Sequence, residues 1–309
     1  MLIHPTGKFA NHARPYRTIT AHPLAAAMGA EIRGADFAGM TDEQFAEIED
    51  ALFHHKMIYF RDVEWTHEQH ERFSLRFGPY AEDAYTDGIP GHANIQPLVR
   101  EATATGKHIF GSGWHSDGPF LNQPPAIALL YGVDIPPYGG DTIWANTVLA
   151  YETLSDIMKG VIAPLKVHMS MKRAFESSME YGEADDTPVG KLAKLKGVGA
   201  SDLPEGVVRK VKGNFHPLVR THPRSGEKAL YCDPSYSVGI EGMTPPEAEA
   251  LLGFLARHMT QPAFTCRLRW APKTLAVWDN RISIHQAFND YDGHRRELYR
   301  TTVGGETPA

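Results

Sequence analysis

Cysteine is nearly absent from this chain of 309 residues: only Cys232 and Cys266 carry thiols. Two isolated cysteines form no Cys-x-x-Cys pair, which excludes a thiolate zinc site. One disulfide between them stays open, but buried free thiols in a reducing, cytoplasmic setting are the expectation. Long apolar runs are missing too. No stretch approaches the roughly 18 residues a membrane helix needs, so no membrane partner is expected. Positive charge is not in excess. Lys and Arg number 31 against 37 Asp and Glu, a net charge of −6. With no long basic block, nucleic-acid binding is not expected. Internal repeats are absent, which excludes solenoids and propellers. The first acid is Glu31, behind Lys8, Arg14 and Arg17. Pro5, Pro15 and Pro23 interrupt any amphipathic helix there, and no apolar core of a signal peptide exists. Residues 1–17 are therefore expected as a mobile tail, and residues 18–309 as one domain.

What is present reads as globular: 42% hydrophobic and 22% charged residues. A chain this long buries roughly 75% of its unfolded surface, enough for a large core. Histidine is plentiful, with sixteen copies. Any metal here would be held by nitrogen and oxygen.

Periodicity supplies the elements. Short strands broken by glycine are expected over 19–40. Thr41-Asp-Glu-Gln44 has the capping-box form, and Phe45, Ile48 and Leu52 follow at helical spacing, which predicts a helix over 42–54. A strand at 57–60 and a helix over 66–77 follow. Residues 79–125 read as loop. Strands are expected at 126–131, 141–145, 215–221, 229–232, 264–270, 274–278, 282–287 and 297–303, with helices over 147–159 and 245–258. The polar stretch 176–213 shows no period and reads as a flexible insertion or lid. The outcome is an α+β domain built round a β-sandwich or barrel.

One short segment carries chemistry. In extended Trp114-His115-Ser116-Asp117, residues 115 and 117 point the same way and can converge on one ion. Sixteen histidines and 37 acids would produce such a pair by chance, so alone it decides nothing. His285 lies in the strand Arg281-Ile-Ser-Ile-His285. Arg296 follows eleven residues later and Arg300 four after that. With Asn289-Asp-Tyr-Asp-Gly293 as the turn, His285 and Arg296 are expected on adjacent antiparallel strands. The planar guanidinium suits a carboxylate.

Taken in order, the His115-Ser-Asp117 pair, Gly139-Gly-Asp-Thr-Ile-Trp144, His285 and Arg296 resemble the taurine and 2,4-D dioxygenase (TauD/TfdA) family of Fe(II)/2-oxoglutarate enzymes. Ser74-Leu-Arg-Phe-Gly78, Thr221-His-Pro-Arg-Ser-Gly226 and Val277-Trp-Asp-Asn280 match it as well. The resemblance spans about 19–305. It implies a double-stranded β-helix (jelly-roll, cupin-like) core with flanking helices, and a dimer or tetramer. It implies that His115, Asp117 and His285 bind Fe(II), and that Thr142 and Arg296 hold 2-oxoglutarate. The implied reaction uses O2 and decarboxylates 2-oxoglutarate to succinate and CO2 while hydroxylating a small anionic substrate. Arg300 matches the second arginine of the family, which binds the substrate anion in several members. Taurine itself fits poorly: the loop after Gly78 lacks the sulfonate-binding histidine of the taurine enzyme, and Gly111 replaces an asparagine. The C-terminal segments look closer to the aryloxyalkanoate branch. Further candidates for the substrate pocket are Phe110, Phe120, Phe175, Tyr236, Lys107 and His108. Two other classes stay open: a zinc or manganese hydrolase on the same ligands, and a non-catalytic binding protein of the same fold.

Overall fold

The computed structural model describes residues 9–82, 88–104, 111–182 and 188–309. The first third comprises β1 (Thr20–Pro23), β2 (Ala30–Arg33), α1 (Asp42–His55), β3 (Met57–Phe60), α2 (His67–Leu75) and β4 (Gln96–Arg100). The middle holds β5 (Ile127–Asp134), β6 (Thr142–Asn146), α3 (Thr147–Glu152), α4 (Asp156–Ile162), β7 (Lys166–Met169), α5 (Lys172–Tyr181), α6 (Pro188–Ala193) and α7 (Glu205–Lys212). The last third holds β8 (Asn214–Pro217), β9 (Val219–Thr221), β10 (Lys228–Leu230), β11 (Ser237–Ile240), α8 (Pro245–Met259), β12 (Thr265–Leu268), β13 (Leu275–Asp279), β14 (Ser283–Ala287) and β15 (Arg296–Val303).

Seven strands form the main sheet in the order β1-β2-β3-β13-β5-β15-β4. Its β2–β3 pair is parallel and its other pairs are antiparallel. A three-stranded sheet, β12-β6-β14, faces it. The period of two sorts the side chains. Met57, Tyr59, Ala128, Leu130, Ala276, Trp278 and Leu298 share one core with Trp144, Cys266 and Leu268 from the facing sheet. The alternate residues Ile58, Phe60, Ile127, Leu129, Leu275 and Val277 pack with Phe45, Ile48 and Leu52 of α1. Each such side chain contributes about 1.5–3 kcal/mol by leaving water. A third cluster joins Ala145 and Ile284 to Leu149 of α3, Val167 and Met169 of β7, and Leu255 of α8. Among the described residues no helix is long and apolar enough to cross a membrane. Both cysteines are buried and free.

Several expectations are corrected. The helix over 147–159 is two helices: Ser155 accepts from the Met158 N–H at 3.2 Å and starts α4 afresh. The strand over 215–221 breaks at buried Leu218, and its halves enter different sheets. The loop-rich stretch 79–125 contains β4, whose Pro97 is tolerated because β4 is the edge strand. Helices α5, α6 and α7 occupy much of 176–213. From Phe9 onward the expected mobile tail is pinned to α1. Asn11 is buried, Arg14 and Tyr16 bind Asp50, and Glu47 accepts from the N–H groups of Arg17 and Thr18.

Candidate metal centre

His285 is the middle residue of β14 and pairs with Trp144 of β6. Alternation sends Ile284 into the outer core and His285 into the gap between the sheets. There its ring lies 4.8 Å from that of Trp278. The segment carrying His115 and Asp117 belongs to none of the named strands. It docks on β14 through one isolated bridge: His115 N–H to His285 O at 2.9 Å, and His285 N–H to His115 O at 2.8 Å. The two imidazole centroids are 4.2 Å apart. One ligand atom each from His115, Asp117 and His285 lies within 4.8 Å of the others.

The protonation states suit a cation. Burial lowers both histidines, His285 well below the ordinary value, so both are neutral near pH 7. His115 Nδ1 donates to Gly113 O at 2.7 Å, which leaves Nε2 with its lone pair. Asp117 Oδ1 accepts from Arg300 Nη1 at 3.1 Å. Asp117 Oδ2 is buried with no hydrogen-bond partner among the described residues. An unfilled buried carboxylate oxygen beside neutral imidazoles is costly unless a cation completes it. Two imidazoles and one carboxylate match the donor set of a non-haem iron site with open positions.

A second charged position lies further along the same gap. Thr142 and Trp144 share a face of β6, and Arg296, Leu298 and Arg300 share a face of β15. Arg296 is buried and donates through Nη2 to Gly140 O at 3.0 Å. Its guanidinium stands 5.9 Å from the Trp270 ring and 5.7 Å from that of Tyr291. Trp270 Nε1 donates in turn to Thr142 Oγ1 at 2.9 Å. Gly140 has a φ of 68°, and a Cβ there would stand 3.1 Å from Arg296 Nε. Glycine is thus required both by the backbone and by the close approach. No carboxylate among the described residues forms an ion pair with Arg296, its Nε has no partner there, and burial lowers its pKa. A buried guanidinium without a counter-ion suits an incoming carboxylate. The expected hairpin of His285 with Arg296 is corrected. Arg296 pairs with Arg100 of β4, in the main sheet, and His285 lies in the facing one.

The remaining candidates divide. Arg300 is drawn to Asp117. Phe120 meets Tyr236 edge to face at 5.2 Å, and Tyr236 lies 6.3 Å from the His115 ring, so Tyr236 borders the centre with Phe120 against it. Phe175 is half-buried on α5, and the structure does not bring it to the triad. Lys107, His108 and Phe110 lie outside the described residues.

Sequence reading missed the groups that hold this centre. Asn280 Oδ1 accepts from Asp117 N–H, and Asn280 O accepts from Ser116 Oγ. Asp233 accepts from Tyr236 N–H at 2.7 Å and Ser116 N–H at 3.4 Å, and burial pushes its pKa up to about 7. Asp279 is gripped by Arg281 at 2.8 and 2.6 Å and by His222 at 2.9 Å. Burial alone would raise the Asp279 carboxyl, but these partners hold it well below the usual range. The motifs around 222 and 277–280 were visible. Their role was not, because it depends on contacts between distant segments.

The family model for taurine catabolism dioxygenase TauD, TfdA family, matches residues 20–302. An alpha-ketoglutarate-dependent sulfate ester dioxygenase of Pseudomonas putida is 33% identical, over 93% of this chain and 90% of the relative. The alpha-ketoglutarate-dependent 2,4-dichlorophenoxyacetate dioxygenase of Cupriavidus pinatubonensis is 28% identical, over 91% and 95%. The crystal structure of a taurine dioxygenase from Burkholderia xenovorans superposes with a TM-score of 0.75 at 34% identity, covering 95% of this chain and 91% of that one. Sequence, backbone and the gap between the two sheets agree, and the chain belongs to the TauD, TfdA dioxygenase family.

Proposed function

We propose that this chain is an Fe(II)- and 2-oxoglutarate-dependent dioxygenase that hydroxylates a small organic anion beside a heteroatom. The observation that carries the reading is a pair of incompletely answered buried groups: Asp117 Oδ2, unpartnered among the described residues and next to two neutral imidazoles, and Arg296, with no ion-paired carboxylate among them. His115, Asp117 and His285 would hold the iron. Arg296 and Thr142 would hold the far carboxylate of 2-oxoglutarate. When bound, iron with 2-oxoglutarate and O2 supplies an oxidant strong enough for an unactivated C–H bond. The residues of the chain do the rest. Arg300 holds Asp117 Oδ1 and so orients the carboxylate toward the ion. Burial between two sheets keeps the site dry and limits side reactions. Tyr236, beside His115 and backed by Phe120, would meet the organic part of the substrate, and Arg300, which is held by Asp117, would meet its anionic end. The facing sheets are taken as the two halves of a jelly roll, and the chain as assembling into a dimer or tetramer.

The substrate classes supported by the named relatives are sulfate esters and aryloxyalkanoates, with taurine-type sulfonates as the alternative. Hydroxylation of the carbon bearing a sulfate oxygen would give a hemiacetal-like ester that collapses to an aldehyde and bisulfate. The test is succinate release across alkyl sulfates, sulfonates and aryloxy acids, with His115→Ala and Asp117→Ala as controls. Wild type should release succinate with at least one class and each variant should lose it by about 10³-fold or more. Release by both variants at wild-type rate would sink the triad assignment. No release with any class would favour the non-catalytic reading.

A further inference from the structure

We propose that Asn280 is the positioning residue of the metal centre: one buried side-chain oxygen sets the pose of both arms that carry the ligands. The proposal rests on the reading of His115, Asp117 and His285 as those ligands. Asn280 is 2% exposed and stands in the turn between β13 and β14. Its Oδ1 accepts from Asp117 N–H at 3.3 Å and from Trp278 Nε1–H at 3.0 Å. The Trp278 ring lies against His285 at 4.8 Å. A single oxygen therefore touches the backbone beside one ligand and the ring that backs another.

The surrounding bonds give that oxygen a fixed place. Asn280 N–H donates to Ala126 O at 2.8 Å, and Asn280 O accepts from Ser116 Oγ at 3.0 Å. The preceding residue, Asp279, is buried and clamped by Arg281 and His222. Asp279 N–H donates to Lys56 O at 3.1 Å, and Ser283 Oγ donates to Asp279 O at 2.7 Å. The turn is anchored on both sides, and the 115–117 segment docks on it through Asp117 N–H and Ser116 Oγ as well as on β14 through its bridge. The anchored turn thus helps to place the 115–117 segment. Groups that orient metal ligands typically govern metal affinity about 10- to 100-fold when removed.

The experiment titrates the full chain anaerobically with Co(II), reading the visible Co(II) spectrum and the melting temperature side by side. Wild type should bind, and His115→Ala should not. Asn280→Leu keeps the size but removes the acceptor; it should weaken Co(II) binding about 10- to 100-fold and alter the visible band. Asn280→Asp restores an oxygen at that place and should recover affinity to within about threefold. Leu52→Ala, in the core on the far face of the main sheet, should lower the melting temperature without changing the Co(II) spectrum. Should Asn280→Leu fail to fold, Trp278→Phe carries the test. It leaves a ring against His285 and removes the bond to Oδ1, and Co(II) affinity should fall at least about threefold. Wild-type affinity and band in Asn280→Leu, or in Trp278→Phe where that variant is used, overturn the proposal while leaving the triad reading intact. A wild type that does not bind, or a His115→Ala that does, overturns the triad reading and this proposal with it.

Discussion

Two buried guanidinium groups face the gap between the sheets, and their surroundings differ. Arg300 has Asp117 at 3.1 Å. Arg296 has a carbonyl, the Trp270 and Tyr291 side chains and only a more distant influence of Asp141, with no ion-paired carboxylate among the described residues. The difference predicts that Arg296→Ala raises the 2-oxoglutarate KM about 100-fold, since truncating one partner of a buried charged pair costs about 2–5 kcal/mol. Arg296→Lys should raise it about tenfold, because an ammonium cannot reproduce two parallel bonds. Co(II) affinity should stay near wild type in both. Succinate release against 2-oxoglutarate concentration measures this, and an unchanged KM in Arg296→Ala removes Arg296 from the site. Much at this scale was legible. His115, Asp117, Thr142, His285, Arg296 and Arg300 occupy short motifs whose order survives folding. Their mutual geometry was not legible. A spacing of eleven positions from His285 to Arg296 suggests a hairpin, yet the chain crosses from one sheet to the other between them. Spacing reports length, and the two solutions need the same length.

At the level of elements, legibility followed local signals. The α1 helix was readable because its cap and its apolar stripe are both written within fifteen residues. Strand β4 was hidden because Pro97 and the nearby glycines read as loop, and only its position at the sheet edge makes it a strand. The break at Leu218 was hidden for a similar reason: both halves are apolar enough for one strand, and long-range pairing divides them. The stretch expected as a tail shows what composition misses. Asn11 Nδ2 donates to Ala25 O at 2.6 Å and Gly29 O at 2.9 Å, and its Oδ1 accepts from His55 Nδ1. One polar side chain thereby ties the β1–β2 turn to the end of α1. Asn11→Ala should destabilise the protein by about 2–3 kcal/mol, since it leaves buried polar groups unpaired. Urea unfolding followed by circular dichroism measures it. A loss below about 0.5 kcal/mol, the usual range for surface substitutions, would mean that residues 9–17 are not anchored.

For the whole molecule, the abundance of histidine acquires a meaning that composition alone did not supply. Most of the sixteen are not metal ligand candidates, but several are buried neutral, and that ties stability to pH. His70 stacks on Trp65 at 4.6 Å, meets Thr301 Oγ1 at 3.3 Å, and has its Nδ1 unpaired among the described residues. Burial lowers it to about 3, and His55 likewise. An unfolded histidine titrates near 6.5. Below that pH the unfolded chain takes up a proton that the native state refuses, so stability falls as pH drops from about 6.5 toward 3 and is unaffected above. At pH 5 each of these two residues costs about 2 kcal/mol. Asp233 acts in the opposite sense. Its carboxyl, raised to about 7, is proton-loaded when native, so its penalty shrinks as pH falls from 7. Comparing variants separates the two. His70→Phe keeps the stack on Trp65 and leaves Thr301 bonded to Ser74 Oγ at 2.7 Å. The variant should therefore lose about 2 kcal/mol less than wild type between pH 7 and pH 5, while the Asp233 contribution cancels in the difference. Denaturant unfolding of both proteins at the two pH values reads this directly. Parallel stability losses in wild type and His70→Phe would show that His70 takes up its proton in the native state, and would move the origin of acid sensitivity to His55 and the other buried histidines.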